Sequence, residues 1–334
     1  MASETAPFPA LGTKAANRYA LVTRYALPII LLLVFILFSL VAPSFLTSAN
    51  LVSLLVNNFT LLAITAIAMT FVVASGGIDL SVGTSIDFAS FFFVSLVLAG
   101  QPVWVAGIAG LLGGGLVGVF NAILISGIGI SPFLATLGTL FVGRSIQQLL
   151  TNGGNPVYLP PATIPETFRS IGHGSLLSIP VPLIIAFVVI LAAWAVLSRS
   201  RFGRVIIASG IQASVVRYSG IRWSLQIATT YIVAALIAAI AGLIVTSTVT
   251  VYIPSSGSAF LLNAIGATFI GTTLNPNGRP NVVGTVLGVL LLSIVANGLL
   301  LSGLNFYWQQ VATGLLIFVV LVAGAANKGA LQRS

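Results

Sequence analysis

The stretch LQIATTYIVAALIAAIAGLIVTSTV at 225–249 decides the class of fold, because it runs for 25 residues without a charged side chain. A helix of about 20 apolar residues crosses the hydrocarbon core of a bilayer, which is about 30 Å thick. Backbone polar groups inside lipid must be satisfied within their own segment, and the aliphatic composition lacks the alternation of a membrane barrel. We therefore predict that this stretch is a transmembrane α-helix.

The rest of the chain has a similar composition. Its 334 residues include 13 Lys and Arg and only 4 Asp and Glu, 58% are hydrophobic, and the mean hydropathy is +1.14. Charged residues make up 5% of the chain, against about 25% in soluble domains. The net charge of +9 is spread between long uncharged runs, so nucleic acid is not an expected partner. With no cysteine and one histidine, neither a catalytic site nor a metal site is expected.

Clusters of Gly, Pro and Asn divide the uncharged runs into ten predicted helices. These helices cover residues 26–42, 51–74, 84–99, 103–126, 132–151, 179–197, 225–249, 261–274, 282–302 and 307–326. The expected fold is an all-α membrane protein, a polytopic bundle of about ten transmembrane helices. One transmembrane domain over 26–326 is then flanked by the short terminal segments 1–25 and 327–334.

Basic residues predict the orientation, because they collect in short cytoplasmic loops. With a cytoplasmic N-terminus and ten crossings, 11 of the 13 basic residues lie on the cytoplasmic side: Lys14, Arg18, Arg24, Arg199, Arg201, Arg204, Arg217, Arg222, Arg279, Lys328 and Arg333. Both termini and the loop 198–224 are then cytoplasmic, and the loop 152–178 is external. The exceptions are Arg144 within a helix and Arg169 in the external loop.

A glycine pair and a carboxylate interrupt the helical pattern near 74–84, in the sequence ASGGIDLSVG at 74–83. Gly76 and Gly77 are predicted to end one helix. Asp79, followed by Ser81, is predicted to cap the next helix, where unpaired amides and the helix dipole favour an anion. A functional interpretation is compatible with this one: acids inside membranes usually face a cavity, so the broken helix would line a solute path.

Two stretches carry a family resemblance. GGIDLSVG at 76–83 closely resembles the signature of the permease subunits of bacterial ABC importers in the ribose-type monosaccharide family, which includes the autoinducer-2 permeases. RFGRVIIASGIQASVVRYSGI at 201–221 is similar to the loop of that family that docks on the ATPase. The matching signature positions are Gly76, Gly77, Asp79, Ser81 and Gly83. The implied ATPase-coupling positions are Arg201, Gly203, Arg204, Gly210, Gln212, Ala213, Arg217, Ser219 and Gly220.

The resemblance implies a subunit of an ATP-driven importer in a bacterial inner membrane, working by alternating access on a monosaccharide or similar small polar solute. The implied partners are cytoplasmic ATPase subunits, a second permease chain that is identical or paralogous, an external solute-binding protein, and membrane lipid. The only lysines, Lys14 and Lys328, do not lie in a P-loop motif. No cofactor is therefore expected on this chain, and ATP and Mg²⁺ are expected on the partner ATPase.

The loop 198–224 also supports a cytoplasmic helix on physical grounds. It carries five arginines and a helix-compatible stretch over Gln212–Tyr218. Gly210 and Gly220 are the expected boundaries of a short helix lying along the membrane surface. The alternative is an ordinary positive-inside loop whose arginines meet anionic lipid.

Polar or aromatic side chains within apolar helices are candidates for the solute path. These are Asn57, Asn58, Phe91, Asn121, Asn297 and Gln309. An interhelical hydrogen bond is the more common role of such an amide, core or lipid contact is the more common role of Phe91, and Arg144 is explained by snorkelling toward the interface. The external loop 152–178 is assigned to receiving the binding protein.

Two other functions remain open at this point. An ion-coupled secondary transporter would use Asp79 or Asp87 as its proton or cation site, but it leaves the loop 201–221 without a role. A membrane enzyme is the least favoured function, because the chain has few side chains of the catalytic types, with one histidine, no cysteine and four acids.

Overall fold

The computed structural model describes residues 13–275, 278–305 and 307–319 of the chain. Its helices are α1 (Thr13–Val41), α2 (Ser48–Ser53), α3 (Thr60–Ala74), α4 (Val82–Leu98), α5 (Val103–Ala122), α6 (Pro132–Leu150), α7 (Glu166–His173), α8 (Val181–Arg199), α9 (Arg201–Tyr218), α10 (Trp223–Val249), α11 (Ser258–Thr272) and α12 (Val282–Leu301). Residues 307–319 are also helical. Two π-helical segments, Leu54–Phe59 and Ile123–Ile128, join α2 to α3 and extend α5.

Extended structure in the described residues is confined to four two-residue strands. They are β1 (Val157–Tyr158), β2 (Ser175–Leu176), β3 (Ile179–Pro180) and β4 (Val251–Tyr252). β1 pairs antiparallel with β4, and β2 pairs antiparallel with β3. The predicted external loop 152–178 is therefore structured: it contains two of the strands, the 3₁₀ turn Pro161–Thr163 and α7.

The predicted helical fold is confirmed, and each predicted helix has a helical counterpart. Five described helices are long and apolar enough to cross a membrane: Ser48–Ala74, Val103–Ile128, Val181–Arg199, Trp223–Val249 and Val282–Leu301. Three shorter apolar helices are Tyr25–Val41, Val82–Leu98 and Ser258–Thr272. The count of ten spans and the cytoplasmic termini stay predictions. The tail 327–334, residues 1–12 and the end of the tenth predicted helix lie outside the described residues.

Helix α10 forms the centre of the bundle and packs against α3, α4 and α5. Small residues make this packing close, since membrane helices associate by contact and not by exclusion of water. A Cβ added at Gly114 of α5 would lie 2.6 Å from the Cβ of Ala239 and 2.7 Å from the carbonyl oxygen of Ser85. This three-helix junction therefore has no room for a solute, so a path has to run elsewhere.

Helix α9 is longer than the surface helix predicted for this loop and consists of two helical parts, the second of which begins after Gln212, two residues beyond the boundary predicted at Gly210. The helix begins after Ser200, whose hydroxyl oxygen accepts a hydrogen bond from the amide of Gly203 at 2.9 Å. It passes through Gly210 and is kinked at Gln212, where φ is −155° and ψ is 92°. Its first half is held by a buried stripe of Gly203, Ile206 and Ser209. The end predicted at Gly220 is confirmed, where φ is +73°.

Candidate functional site

The signature segment, residues 75–81, begins where α3 ends. Gly76 adopts φ +87°, which a glycine tolerates without strain, and the amide of Gly77 donates to the carbonyl of Val72 at 3.1 Å. The helix end predicted at this glycine pair is confirmed. From here the chain runs without helix as far as Ser81, and α4 begins at Val82.

Asp79 is buried within the signature segment, with 2% of its surface exposed. One carboxylate oxygen accepts hydrogen bonds from the amide of Ser81 at 2.8 Å and from the Ser81 hydroxyl at 2.6 Å. The prediction that Asp79 caps α4 is wrong, because the N-cap of α4 is Ser81 and it makes no side-chain cap hydrogen bond. The carboxylate instead fixes the turn that precedes the helix.

This turn is tied to two neighbouring helices by a chain of buried side chains. The amide nitrogen of Asn121 in α5 donates to the Ser81 hydroxyl at 2.7 Å, and the Asn121 side-chain oxygen accepts from Thr139 in α6 at 2.6 Å. The Thr136 hydroxyl lies 3.3 Å from the carbonyl of Ile78. Buried polar groups stabilise a fold when all of them are paired. The network therefore holds the signature segment against α5 and α6.

A second carboxylate, Asp87 of α4, holds the chain between α10 and α11. Its Oδ1 accepts from the amide of Gly257 at 2.7 Å and from the hydroxyl of Ser256 at 3.2 Å. Gln147 of α6 binds the same stretch of chain, because its Oε1 accepts from the amide of Ser255 at 2.8 Å and from the hydroxyl of Tyr252 at 3.2 Å. We call residues 250–257 the re-entrant segment. Asp87 and Gln147 together pin it against α4 and α6.

The re-entrant segment reaches deep into the bundle. A Cβ added at Gly83, in the first turn of α4, would lie 2.8 Å from the carbonyl carbon of Gly257. Leu98, the far end of α4, is fifteen residues from Gly83, or about 22 Å at a rise of 1.5 Å per residue. Gly257 therefore packs against the first turn of α4, about 22 Å along this helix from its other end, so the re-entrant segment reaches the part of the bundle that directly follows the signature segment.

The six predicted path residues do not converge on one cavity. Asn121 lies in the buried network, and Asn297 exchanges two amide hydrogen bonds with Asn50, at 3.1 and 3.0 Å. Phe91 packs edge-on against Tyr252, with ring centroids 5.4 Å apart. Asn57 is exposed and donates to the Ser53 hydroxyl at 2.9 Å, while Asn58 and Gln309 are partly exposed. Their assignment to a path stays a prediction.

Three residues that make the hydrogen bonds described above were not predicted as site residues from the sequence. Gln147 holds the re-entrant segment, yet in the sequence it is one more amide in an apolar helix. Nothing in the sequence distinguishes Thr139 and Asn50 from other polar residues, because a hydroxyl or amide in an apolar helix commonly forms a hydrogen bond with its own backbone or with a neighbouring helix. Only the tertiary contacts identify them.

The kinked helix α9 packs directly on the start of the signature segment. A Cβ added at Gly76 would lie 3.1 Å from the Cα of Gly210, so the two backbones touch. A cavity of about 420 Å³ adjoins this contact. Its lining is drawn from α3, α9 and the loop before α12: Val73, Ala74, Ile207, Gly210, Ile211, Gly278, Arg279 and Pro280.

Part of the surface of α9 is exposed and apolar, from Ile211 at the edge of this cavity to Val215 and Tyr218 beyond the kink. Ile211, Val215 and Tyr218 expose 57%, 52% and 92% of their surfaces. Arg201, Arg204, Gln212 and Arg217 are exposed beside them, and the Arg217 guanidinium stacks 4.0 Å from the ring centre of Trp223. Apolar side chains rimmed by charge are typical of a protein interface.

The role of the Asp79 carboxylate can be tested by paired substitutions. Asp79→Asn keeps an acceptor oxygen for both Ser81 donors and is expected to leave stability close to wild type. Asp79→Leu leaves buried donors unpaired, at about 1–3 kcal/mol for each, and should lower the midpoint of thermal unfolding by several degrees. The measurement is size-exclusion chromatography after heating in detergent. A normally folded Asp79→Asn chain that transports no solute would instead assign a role to the charge.

Comparison with known proteins matches this architecture to one family. A family model described as the permease component of branched-chain amino acid transport systems matches residues 51–321. The ribose import permease protein of Bacillus subtilis is 34% identical, over 87% of this chain and 89% of the relative. The galactofuranose transporter permease protein of Escherichia coli K12 is 33% identical, over 87% and 86%. The autoinducer 2 import system permease protein of Yersinia enterocolitica is 32% identical, over 80% and 81%. No solved structure matches the chain.

Proposed function

The chain belongs to the family of permease components of branched-chain amino acid transport systems, and on this basis we propose that it is the transmembrane subunit of an ATP-driven ABC importer. Its relatives are named as permeases for ribose, galactofuranose and autoinducer 2. The chain is accordingly a multi-pass inner-membrane protein and a sugar-transport permease subunit. The solute is a monosaccharide or a similar small polar molecule.

The observation that carries this proposal is the placement of α9. On its inner side the helix touches the signature segment through Gly210 and Gly76. Next to this contact and beyond the kink it presents the exposed apolar side chains of Ile211, Val215 and Tyr218, which we call the exposed stripe. A helix that joins an exposed protein-binding surface to a break in the membrane bundle is suited to transmit the movement of a partner into that bundle.

The energy for import comes from a separate polypeptide. This chain has no P-loop, so ATP and Mg²⁺ bind to cytoplasmic ATPase subunits that dock on α9. The described part of the chain contains one such helix, and two ATPase subunits that close on each other therefore require two permease chains, identical or paralogous. An external binding protein delivers the solute, and the structured loop 152–178 is the surface to which this binding protein docks.

Import then proceeds by alternating access. Closure of the ATPase subunits moves α9, and its backbone contact with Gly76 passes this movement to the signature segment. Asp79 and the Ser81–Asn121–Thr139 chain connect that segment to α5 and α6. The cavity between α3 and α9 gives the helix room to move.

The contacts of the two acids argue against an ion-coupled secondary transporter. Asp79 accepts two hydrogen bonds from Ser81, and Asp87 accepts two from the re-entrant segment. Both carboxylates are 2% exposed. These acids therefore have structural partners, and an ion-coupled mechanism would leave the exposed stripe of α9 without a role.

ATP hydrolysis by the assembled complex tests the proposal. The permease would be purified with its cognate ATPase, placed in lipid nanodiscs, and assayed with the cognate binding protein in its solute-free and ribose-loaded forms. We expect a stable complex whose hydrolysis rate rises several-fold with binding protein. A permease that forms no complex with any ATPase encoded beside it would contradict the proposal.

A further inference from the structure

Helix α6 shows two chemically different flanks on its exposed side. It contacts the bundle through the buried stripe Ala135, Thr136, Thr139, Gly143 and Gln147. One exposed flank, here the polar flank, contains Phe141, Arg144, Ser145 and Gln148. The other, the apolar flank, contains Val142, Ile146 and Leu149. The spacing of three and four residues within each set places its members on one side of the helix.

Only the apolar flank has the composition of a surface that faces lipid. Guanidinium and amide groups are costly in hydrocarbon and in membrane proteins usually face a water-filled cavity or a partner. Arg144 lies six residues from the end of α6 at Leu150, or about 9 Å into the helix. Its long side chain can reach the interface, but the short hydroxyl of Ser145 beside it cannot.

The polar flank borders the re-entrant segment. Arg144 and Gln147 are three residues apart, so their side chains are neighbours on the helix surface, and Gln147 Oε1 accepts from the Ser255 amide at 2.8 Å. Within and just after that segment Ser256 is partly exposed and Ser258 is exposed. Non-helical backbone at membrane depth is tolerated only where protein covers it or where it lines water. The contact through Gln147 therefore places the partly exposed Ser255 and Ser256 beside α6, close to Arg144 on the helix surface.

We propose that the polar flank of α6 and the adjoining exposed serines line the solute path and bind a polyhydroxylated solute. The ring of Phe141 offers an apolar face for a sugar ring. Arg144 donates to solute hydroxyls, and the Gln148 amide both donates and accepts. This inference rests on the proposed function and deepens it by locating the solute contacts outside the close-packed junction of α4, α5 and α10.

The chain contains no cysteine, which makes single-cysteine labelling direct. The variants are Ser145→Cys with its neighbour Ile146→Cys, and Gln148→Cys with its neighbour Leu149→Cys, so each pair compares the two flanks at one depth. The complete complex in proteoliposomes would be treated with a membrane-impermeant, positively charged methanethiosulfonate. We expect Ser145→Cys and Gln148→Cys to react at least ten-fold faster than their neighbours.

Solute contact is tested by a second measurement in the same complex. Arg144→Leu is expected to raise the KM for uptake of ribose from its binding protein by about ten-fold or to abolish uptake, and Arg144→Lys to restore part of it. ATP hydrolysis and assembly should stay intact in both variants. Val142→Leu on the apolar flank is the matched control and should behave as wild type.

Three outcomes would overturn the inference. Equally slow labelling of the two flanks would show that lipid or protein covers both, and equally fast labelling would show that water reaches both. Disulfide formation between Ser145→Cys residues of two chains, with no labelling, would assign the flank to the permease dimer. Unchanged uptake by Arg144→Leu would leave Arg144 as a snorkelling residue. In each case the cysteine-free parent still imports solute with ATP, so failure here is distinct from failure of the proposed function.

Discussion

Combining Arg204→Glu with Val215→Asp in α9 is expected to abolish copurification of the permease with its ATPase. Both residues are exposed, and the hydrogen bond that Arg204 donates to the carbonyl of Arg199 at 3.2 Å lies at the surface, so the double variant is expected to fold. The double variant reverses one charge and places another in the apolar stripe. Introduced repulsion and an unpaired charge at an interface cost several kcal/mol, which corresponds to at least a hundred-fold loss of affinity.

The measurement is pull-down of the ATPase through a tag on the permease in mild detergent. Arg169→Glu is the matched control, because Arg169 is an exposed arginine in the predicted external loop. Size-exclusion profiles of the permease alone should be the same for wild type, double variant and control. Retention of the ATPase by a normally folded double variant would place the docking surface somewhere other than α9.

Gly210→Ala is expected to reduce transport at least ten-fold in a complex that still assembles. A Cβ at this position would lie 3.0 Å from the amide nitrogen of Gly76 and 3.1 Å from the carbonyl carbon of Ala74. Since backbone atoms cannot swing aside, the methyl group pushes α9 away from the signature segment. The exposed side chains that we propose as the ATPase contact are unchanged, so hydrolysis should continue without stimulation by the loaded binding protein.

Gly127→Ala controls for the general effect of replacing a glycine. No atom lies within 4 Å of a Cβ added there, and Gly127 belongs to the π-helical end of α5. This variant should transport and hydrolyse like wild type. If Gly210→Ala also transported normally, the contact between Gly76 and Gly210 would not be the one that couples ATP hydrolysis to movement of the permease. Loss of the ATPase from Gly210→Ala would instead make it a docking residue.

Hydropathy predicts the positions of the helices because a long apolar segment in lipid must satisfy its own backbone hydrogen bonds, which a helix does. Turn chemistry predicts the break at Gly76 and Gly77 for a similarly local reason: the backbone leaves the helix at a residue that tolerates positive φ. Both features depend on neighbours in the chain, and both are found in the structure.

Features that depend on tertiary contacts could not be predicted in the same way. Helix α9 extends back to Arg201 because Ser200 caps it and its buried stripe packs against the bundle. Asp79 turns toward Ser81 because Asn121 and Thr139 complete a network there. The depth of the re-entrant segment follows from the contact between Gly83 and Gly257, which lie far apart in the sequence.

Uptake by proteoliposomes tests the central claim, that ATP hydrolysis on a separate subunit drives this permease. Liposomes would contain the permease and its ATPase with ATP enclosed, and a labelled monosaccharide would be supplied on the cognate binding protein outside. The account predicts uptake that requires enclosed ATP and persists when ionophores collapse proton and sodium gradients. Uptake by the permease alone, driven by either gradient without ATP, would contradict it.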